Sequence, residues 1–200
     1  NGAVDRMAKE MAVKRLVRFG TVAVLGLVLG AGFAWLTRGQ PPAPNPGGVP
    51  DAAAVGDPRP DFRHAALDGR FVEAAAFDGR PLLINFWATW CAPCVREMPL
   101  LDAFAEEESD RLAVIGIAID DPGAVGPFVE ELGVDYPILV GTTDVMRTQR
   151  QFGNAQGLLP YSVLVDADGT IAWQFLGEVK PEHLEREVRS RLPARLPAAP

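Results

Sequence analysis

The chain contains two cysteines, Cys91 and Cys94, and both lie in the segment FWATWCAPC at positions 86–94. Two cysteines are too few for a disulfide scaffold, so chemistry explains the pair better than stapling does. A C-x-x-C pair can form half of a zinc site, can be two inert buried thiols, or can act as a redox couple that alternates between dithiol and disulfide.

A zinc site finds little support elsewhere in the sequence. Structural zinc needs four ligands, which usually include a second closely spaced pair. The two histidines, His64 and His183, are far apart in sequence. We therefore expect no metal at Cys91 and Cys94, while inert buried thiols stay open as an alternative.

The position of the pair between two elements favours the redox couple. The apolar run at 81–87 predicts a central buried strand, and apolar residues that recur every three or four positions after Cys94 predict a helix to about residue 108. Free N–H groups and the dipole at the start of that helix would stabilise a thiolate on Cys91. A disulfide that closes so small a loop is readily opened by an incoming thiol.

Glu97 is the acidic side chain best placed to act with this pair. It follows Cys94 by three residues, about one helical turn. If it is partly buried, its carboxyl group has a raised pKa and can exchange protons with the second thiol. A solvated acid on the helix surface is the alternative. Pro99 falls inside the same helix and is expected to kink it.

The remaining pattern predicts a mixed sheet with helices on both faces. Turn residues between short apolar runs predict an N-terminal hairpin, from strands at 62–66 and 70–72, and a second hairpin nearer the C-terminus. The other predicted elements are strands at 112–119, 136–140, 162–165 and 170–174, helices at 120–133, 143–152 and 181–192, and a loop at 153–159.

The N-terminal quarter of the chain predicts a membrane anchor and a tether. Residues 19–36 carry no charge and, as a helix, would span about 27 Å, close to the thickness of a bilayer core. Basic residues within 1–18 place that segment in the cytoplasm. Proline-rich residues 37–60 predict an extended linker. Cleavage of the apolar segment as a signal peptide is the alternative.

These boundaries predict one folded domain at 61–193 and a tail at 194–200, held outside the cytoplasmic membrane. Residues 1–38 contain six basic and two acidic side chains, which leaves 13 basic against 24 acidic side chains in the rest. An acidic domain argues against nucleic-acid binding, which depends on clustered Lys and Arg.

Four local patterns resemble the thioredoxin superfamily. They are NFWATWCAPC at 85–94, REMP at 96–99, the Leu159-Pro160 step, and VLVDADGTI at 163–171. Together with the anchor and linker, they look like the TlpA/ResA/CcmG group of membrane-anchored thiol–disulfide oxidoreductases. The resemblance covers roughly residues 60–192 and implies a thioredoxin-like fold.

The resemblance also implies roles for individual residues. Cys91 matches the exposed nucleophile and Cys94 the buried resolving thiol of the group. Pro93 matches a residue that helps to set the redox potential, and Trp90 matches the aromatic shield beside the couple. In the ResA-like proteins a glutamate at the position of Glu97 is part of the active site.

Two further positions bear on the active site. Pro160 matches the superfamily's cis-proline, whose loop, with Leu159, faces the disulfide; from the sequence alone this proline could simply open a strand. Asn85 stands where thioredoxin has a buried aspartate that handles protons. An amide does not titrate, so the resemblance implies that this task moves to Glu97.

The resemblance implies a reductant of protein disulfides on the periplasmic side of a bacterial inner membrane, anchored by a single span. No cofactor beyond the Cys91–Cys94 couple is expected. Implied partners are a membrane electron donor of the DsbD/CcdA type and substrates such as apocytochrome c or copper-site proteins. A disulfide oxidase or isomerase of the same fold and a copper-binding chaperone are the alternatives. The absence of a histidine between the cysteines favours the reductant over strong oxidants such as DsbA.

Overall fold

A computed structural model describes residues 52–195 of the chain. The predicted anchor at 19–36 and most of the predicted linker lie outside these residues. Within residues 52–195, no helix combines the length and the apolar character needed to cross a membrane.

The described chain forms one seven-stranded sheet with helices on both faces. The strands are β1 Arg63–Ala66, β2 Phe71–Glu73, β3 Leu82–Trp87, β4 Ala113–Ile119, β5 Ile138–Gly141, β6 Tyr161–Val165 and β7 Ile171–Leu176. The α-helices are α1 Ala92–Glu107, α2 Pro122–Leu132 and α3 Thr143–Gln151, and a 3₁₀ turn covers Ala74–Phe77. A C-terminal helical segment follows, at Pro181–His183, Leu184–Val188 and Arg189–Arg191.

The sheet has the spatial order β2-β1-β5-β4-β3-β6-β7. Strands β5, β4 and β3 are parallel to one another, whereas β1, β2, β6 and β7 add antiparallel neighbours at the two sides. The predicted mixed sheet with an N-terminal hairpin is confirmed. Because β3 is central and buried along its whole length, the residues that follow it are held by a rigid element.

Strand β3 divides its side chains between two apolar cores. Leu83 and Trp87 face the core that is covered by α1, α2 and the C-terminal helical segment. Leu82, Ile84 and Phe86 face the core on the other side, against α3. Alternation along the strand therefore directs the residue at position 85 toward α1.

Helix α1 begins directly after Cys91, which has an extended backbone and serves as the N-cap. Its buried side chains are Cys94, Glu97, Met98, Leu101 and Phe104, spaced by three or four residues as predicted. Glu97 is thus a carboxyl group within the apolar stripe of the helix. The helix continues through Pro99, whose side chain is exposed.

The predicted single helix at 181–192 is a segment of three short turns, and the middle one is a π-helix. Leu184, Val188 and Leu192 are buried, as their spacing indicated.

The folded part begins before the predicted boundary at residue 61. Ala53 is buried, the N–H of Gly56 donates to Ile171 O at 2.9 Å, and the N–H of Ile171 donates to Asp57 O at 2.9 Å. Pro58 forms an isolated bridge to Thr170. These residues line the outer edge of β7, where proline is tolerated, and therefore read as linker by composition alone.

Candidate active site

Cys91 and Cys94 form a disulfide at the junction of β3 and α1. The N–H of Cys94 points at Cys91 Sγ, with 3.4 Å between nitrogen and sulfur. Cys91 retains 6% of its surface exposed, whereas Cys94 is fully buried. In the reduced state, the N-terminal dipole of α1 and this N–H would both favour a thiolate on Cys91 over one on Cys94.

The turn that precedes Cys91 is fixed by the side chain of Asp120, which directly follows the neighbouring strand β4. The backbone N–H and the hydroxyl of Thr89 donate to Asp120 Oδ2 at 3.0 and 2.6 Å. Burial would raise the pKa of Asp120, but hydrogen bonds from Thr89 and Asp121 hold it below its usual value. The sequence predicted Asp120 only as part of a helix start; Asp121 is the N-cap of α2.

Glu97 lies about one turn along α1 from Cys94, on the same buried face, and is 1% exposed. Its Oε1 accepts a hydrogen bond from Asn85 Nδ2 at 2.7 Å, and its Oε2 accepts one from the backbone N–H of Val179. Burial raises the pKa of Glu97 to about 7, although these two hydrogen bonds act in the opposite direction. The solvated surface acid considered from the sequence is therefore excluded.

Asn85 joins Glu97 to the sheet. Its Nδ2 also donates to Ser162 Oγ at 3.0 Å, and the two residues are direct partners in the register of β3 and β6. Ser162 and Val179 were not identified from the sequence. Ser162 is the one small polar residue of strand β6 and stands next to an apolar run, and that contrast was the available signal.

Pro160 lies at the same end of the strands as the disulfide. Phe86 near the end of β3 pairs with Tyr161 at the start of β6, so the Leu159–Pro160 step stands beside the turn that leads to Cys91. The Leu159–Pro160 peptide bond is cis, Pro160 is buried, and Leu159 is partly buried.

The loop before Pro160 is held by two buried amides. Asn154 Nδ2 donates to Leu158 O at 2.6 Å, and Gln149 Nε2 donates to the same oxygen at 3.1 Å. Neither residue was singled out from the sequence. Both fix the backbone of the segment that leads to Leu159.

Exposed apolar side chains lie at the end of the sheet that carries Cys91. Trp90 is 70% exposed, and Leu158 and Leu176 are about half exposed. Leu176 pairs with Tyr161 and therefore belongs to the same end of the sheet. Pro93 is partly buried in the first turn of α1. The exposed apolar groups suit contact with another protein.

The two histidines are engaged away from the disulfide. His64 Nδ1 lies 2.9 Å from Asp144 Oδ2, and His64 Nε2 lies 2.9 Å from Thr148 Oγ1. His183 Nδ1 accepts from the N–H of Lys180. Among residues 52–195, no cluster of three or more His, Cys, Asp or Glu side chains has the arrangement of a metal site.

Comparison with known proteins identifies relatives of the whole described domain. Residues 54–192 match the model of the Redoxin family. The thiol-disulfide oxidoreductase ResA of Bacillus anthracis is 30% identical over 142 residues, which cover 70% of this chain and 79% of that protein. ResA of Geobacillus thermodenitrificans is 30% identical over 146 residues, covering 71% of this chain and 80% of that protein.

Solved structures give the same result for the fold. A thioredoxin family thiol:disulfide interchange protein from Chlorobium tepidum aligns with a TM-score of 0.61 and 26% identity, over 70% of this chain and 99% of the other. A DsbF homologue from Corynebacterium diphtheriae aligns with a TM-score of 0.61 and 25% identity, over 73% and 96%. The names of these proteins and of the ResA relatives fit the exchange chemistry of Cys91 and Cys94.

Proposed function

This chain belongs to the Redoxin family, as a TlpA/ResA/CcmG-like thiol–disulfide oxidoreductase of the thioredoxin superfamily, and we propose that it works as a reductant of protein disulfides. The observation that carries this proposal is a disulfide at a helix N-terminus with a buried acid, Glu97, one turn along the helix. The reaction has two exchange steps, both on sulfur.

In the first step, the Cys91 thiolate attacks one sulfur of a substrate disulfide. A bond forms between Cys91 and that sulfur, the substrate S–S bond breaks, and the other substrate sulfur leaves as a thiolate. In the second step, deprotonated Cys94 attacks Cys91 Sγ, and the remaining substrate sulfur leaves. Two electrons pass to the substrate, and the Cys91–Cys94 disulfide remains.

Glu97 serves as the proton acceptor for Cys94 in this proposal. Both side chains are buried on the same face of α1, three residues apart. With a pKa of about 7, the carboxyl group is partly ionised at neutral pH and can take and return a proton. Asn85 offers hydrogen bonds and no second titrating group, so Glu97 carries the charge change alone.

The surface around Cys91 binds the substrate chain in this proposal. Trp90 offers a large exposed aromatic face, and the backbone of Leu159 offers polar groups beside the turn that leads to the disulfide. Pro93, in the first turn of α1, contributes to the redox potential of the couple. The substrate class is a partner protein with a disulfide, and apocytochrome c and copper-site proteins are the proposed examples.

The proposed location is the periplasmic side of a bacterial inner membrane. The support comes from the uncharged segment 19–36, the basic residues before it and the proline-rich segment after it. An oxidising compartment requires that the couple be reduced again after each turnover, and we assign this to a membrane electron donor of the DsbD/CcdA type. No other cofactor takes part in the reaction.

The reduction potential of the couple tests this proposal against its alternatives. Equilibration of the protein with glutathione buffers, followed by alkylation of free thiols, gives the fraction reduced. A reductant requires a potential at or below roughly −220 mV, whereas a value near roughly −120 mV, as in strong oxidants, would contradict it. Stoichiometric Cu(I) binding without disulfide reduction would favour the copper chaperone.

A further inference from the structure

The second hydrogen bond to Glu97 comes from the loop that follows β7. This loop, residues 177–180, begins with Gly177, whose N–H donates to Pro160 O at 2.9 Å. Gly177 has a φ of 131°, which favours glycine at this position. Val179 is buried and directs its backbone N–H at Glu97 Oε2. The loop therefore touches both the Pro160 segment and the buried acid Glu97.

The neighbouring residue of the loop forms ion pairs at the surface. Glu178 Oε2 accepts from Arg96 Nε and Nη2 at 3.1 and 2.6 Å, and Glu178 Oε1 lies 2.5 Å from Lys180 Nζ. Hydrogen bonds from Arg96 and Lys180 lower the pKa of Glu178 to about 2. Glu178 is therefore ionised at neutral pH.

These contacts are two adjacent hydrogen-bonded pairs between helix α1 and the loop. Arg96 bonds to Glu178, and the next residues along the two segments, Glu97 and Val179, bond to each other. We propose that Arg96 and Glu178 are positioning residues, which hold the N–H of Val179 on Glu97 and thereby set the pH range in which Glu97 exchanges protons with Cys94. This inference rests on the proton-accepting role proposed for Glu97.

Several other groups face Glu97. Asn85 donates from β3, Lys180 and Glu178 lie on the loop, and the buried phenol of Tyr136 approaches from the segment before β5. Burial contributes most to the pKa of Glu97, followed by the opposing hydrogen bond from Val179 and then that from Asn85. The charge of Glu178 raises this pKa and the charge of Lys180 lowers it, both to a smaller extent.

The hydrogen bond from Val179 affects the pKa of Glu97 more than the charge of Glu178 does, so one variant can distinguish the two effects. Glu178→Ala removes a negative charge, which by itself lowers the pKa of Glu97. It also releases the loop from Arg96, which weakens the N–H donation from Val179 and raises the same pKa. We expect the weakened hydrogen bond from Val179 to have the larger effect, so that the pKa of Glu97 rises in Glu178→Ala.

The experiment titrates the Glu97 carboxyl carbon by ¹³C NMR in the reduced full-length protein, with Glu97→Gln to assign the signal. We expect Arg96→Gln and Glu178→Ala each to raise the pKa by about half a unit, the size of a surface ion pair. Arg96→Lys keeps a cation within reach of Glu178 and should retain the wild-type pKa of Glu97. Arg186→Gln, which removes a surface ion pair to Glu187, is the matched control.

The pH profile of thiol alkylation, measured on the same variants, should move in parallel with the NMR titration. An unchanged pKa in Arg96→Gln, or a lowered pKa in Glu178→Ala, would overturn the positioning role. If Glu97→Gln itself leaves the alkylation profile unchanged, the proton-accepting role fails instead. The two failures are therefore distinguishable.

Discussion

Asn85 Nδ2 lies 2.7 Å from Glu97 Oε1 and connects the central strand to the helix that begins at the disulfide. The same amide nitrogen donates to Ser162 on the adjacent strand. An asparagine in this place supplies donors to a buried acid without adding a second charge. This arrangement allows Glu97 to change its protonation state within an otherwise apolar core.

Asn85→Asp should therefore be more damaging than loss of the amide alone. The second carboxylate would face Glu97 and lose both donated hydrogen bonds, so we expect the free energy of unfolding to fall by about 3 kcal/mol at pH 8. At pH 5 the pair can share protons, and part of the loss should be recovered. Urea unfolding of the oxidised protein at the two pH values measures this effect.

Asn85→Ala is the control for that variant because it removes the same donors and adds no charge. Its destabilisation should differ less between pH 5 and pH 8. If Asn85→Asp and Asn85→Ala show the same dependence on pH, Glu97 is not ionised beside residue 85 at pH 8.

The raised pKa of Glu97 also predicts how the stability of the wild-type protein depends on pH. The folded protein holds this proton up to about pH 7, whereas the unfolded chain releases it near its ordinary value of 4.5. Between these values the folded state binds more protons, so stability falls as pH rises. The loss attributable to Glu97 is about 3 kcal/mol and is complete above pH 7.

Glu97→Gln has no proton to release at this position. Its unfolding free energy, measured by urea denaturation of the oxidised protein from pH 4 to pH 8, should lack this decrease. If the unfolding free energies of the wild-type protein and of Glu97→Gln change in parallel over that range, Glu97 titrates normally in the folded protein.

Trp90→Ala is expected to impair the reaction without unfolding the protein. The side chain is 70% exposed, so its removal should change the unfolding free energy by less than about 0.5 kcal/mol. The KM for a protein disulfide substrate should rise, since the variant lacks an apolar contact beside Cys91. Steady-state reduction of insulin measures both kcat and KM.

Phe71→Ala provides the matched control for Trp90→Ala. Phe71 is also a largely exposed aromatic residue, but it lies on edge strand β2, four strands away from β3 in the sheet. The control should leave KM unchanged. Equal effects of the two substitutions would argue against a substrate surface at Trp90.

Local sequence patterns predicted the strands, the three α-helices and the dithiol turn, because alternation, helical spacing and turn residues are local signals. The hydrogen-bond network of Glu97 was harder to predict from the sequence. Ser162 and Val179 are 65 or more positions away along the chain and meet Glu97 or Asn85 only after the strands are ordered in the sheet. The burial of Glu97 likewise depends on packing of α1 against the sheet.

Two features at the ends of the folded part could not be predicted from side-chain patterns. Residues 56–59 pair with residues 169–171 at the start of β7 through backbone groups, which leave no pattern in side-chain polarity. The π turn at Leu184–Val188 begins and ends with buried apolar residues, and an apolar pattern by itself does not distinguish it from an α-helix.

Cys94→Ser should trap the first intermediate of the proposed reaction. Without the resolving thiol, the mixed disulfide between Cys91 and the substrate persists, and it should appear by non-reducing electrophoresis as a reductant-sensitive adduct. Cys91→Ser, which keeps Cys94, is the control and should form none. An adduct of equal yield in Cys91→Ser would show that Cys94 can capture the substrate in place of Cys91.

Turnover of insulin disulfides by the wild-type protein and by Cys91→Ser, with dithiothreitol as the electron source, tests the central claim most directly. The rate above background should be readily measured for the wild-type protein and should disappear in Cys91→Ser, because the hydroxyl cannot replace the attacking thiolate. Retained turnover in Cys91→Ser would contradict the assignment of Cys91 as the nucleophile and, with it, the proposed mechanism.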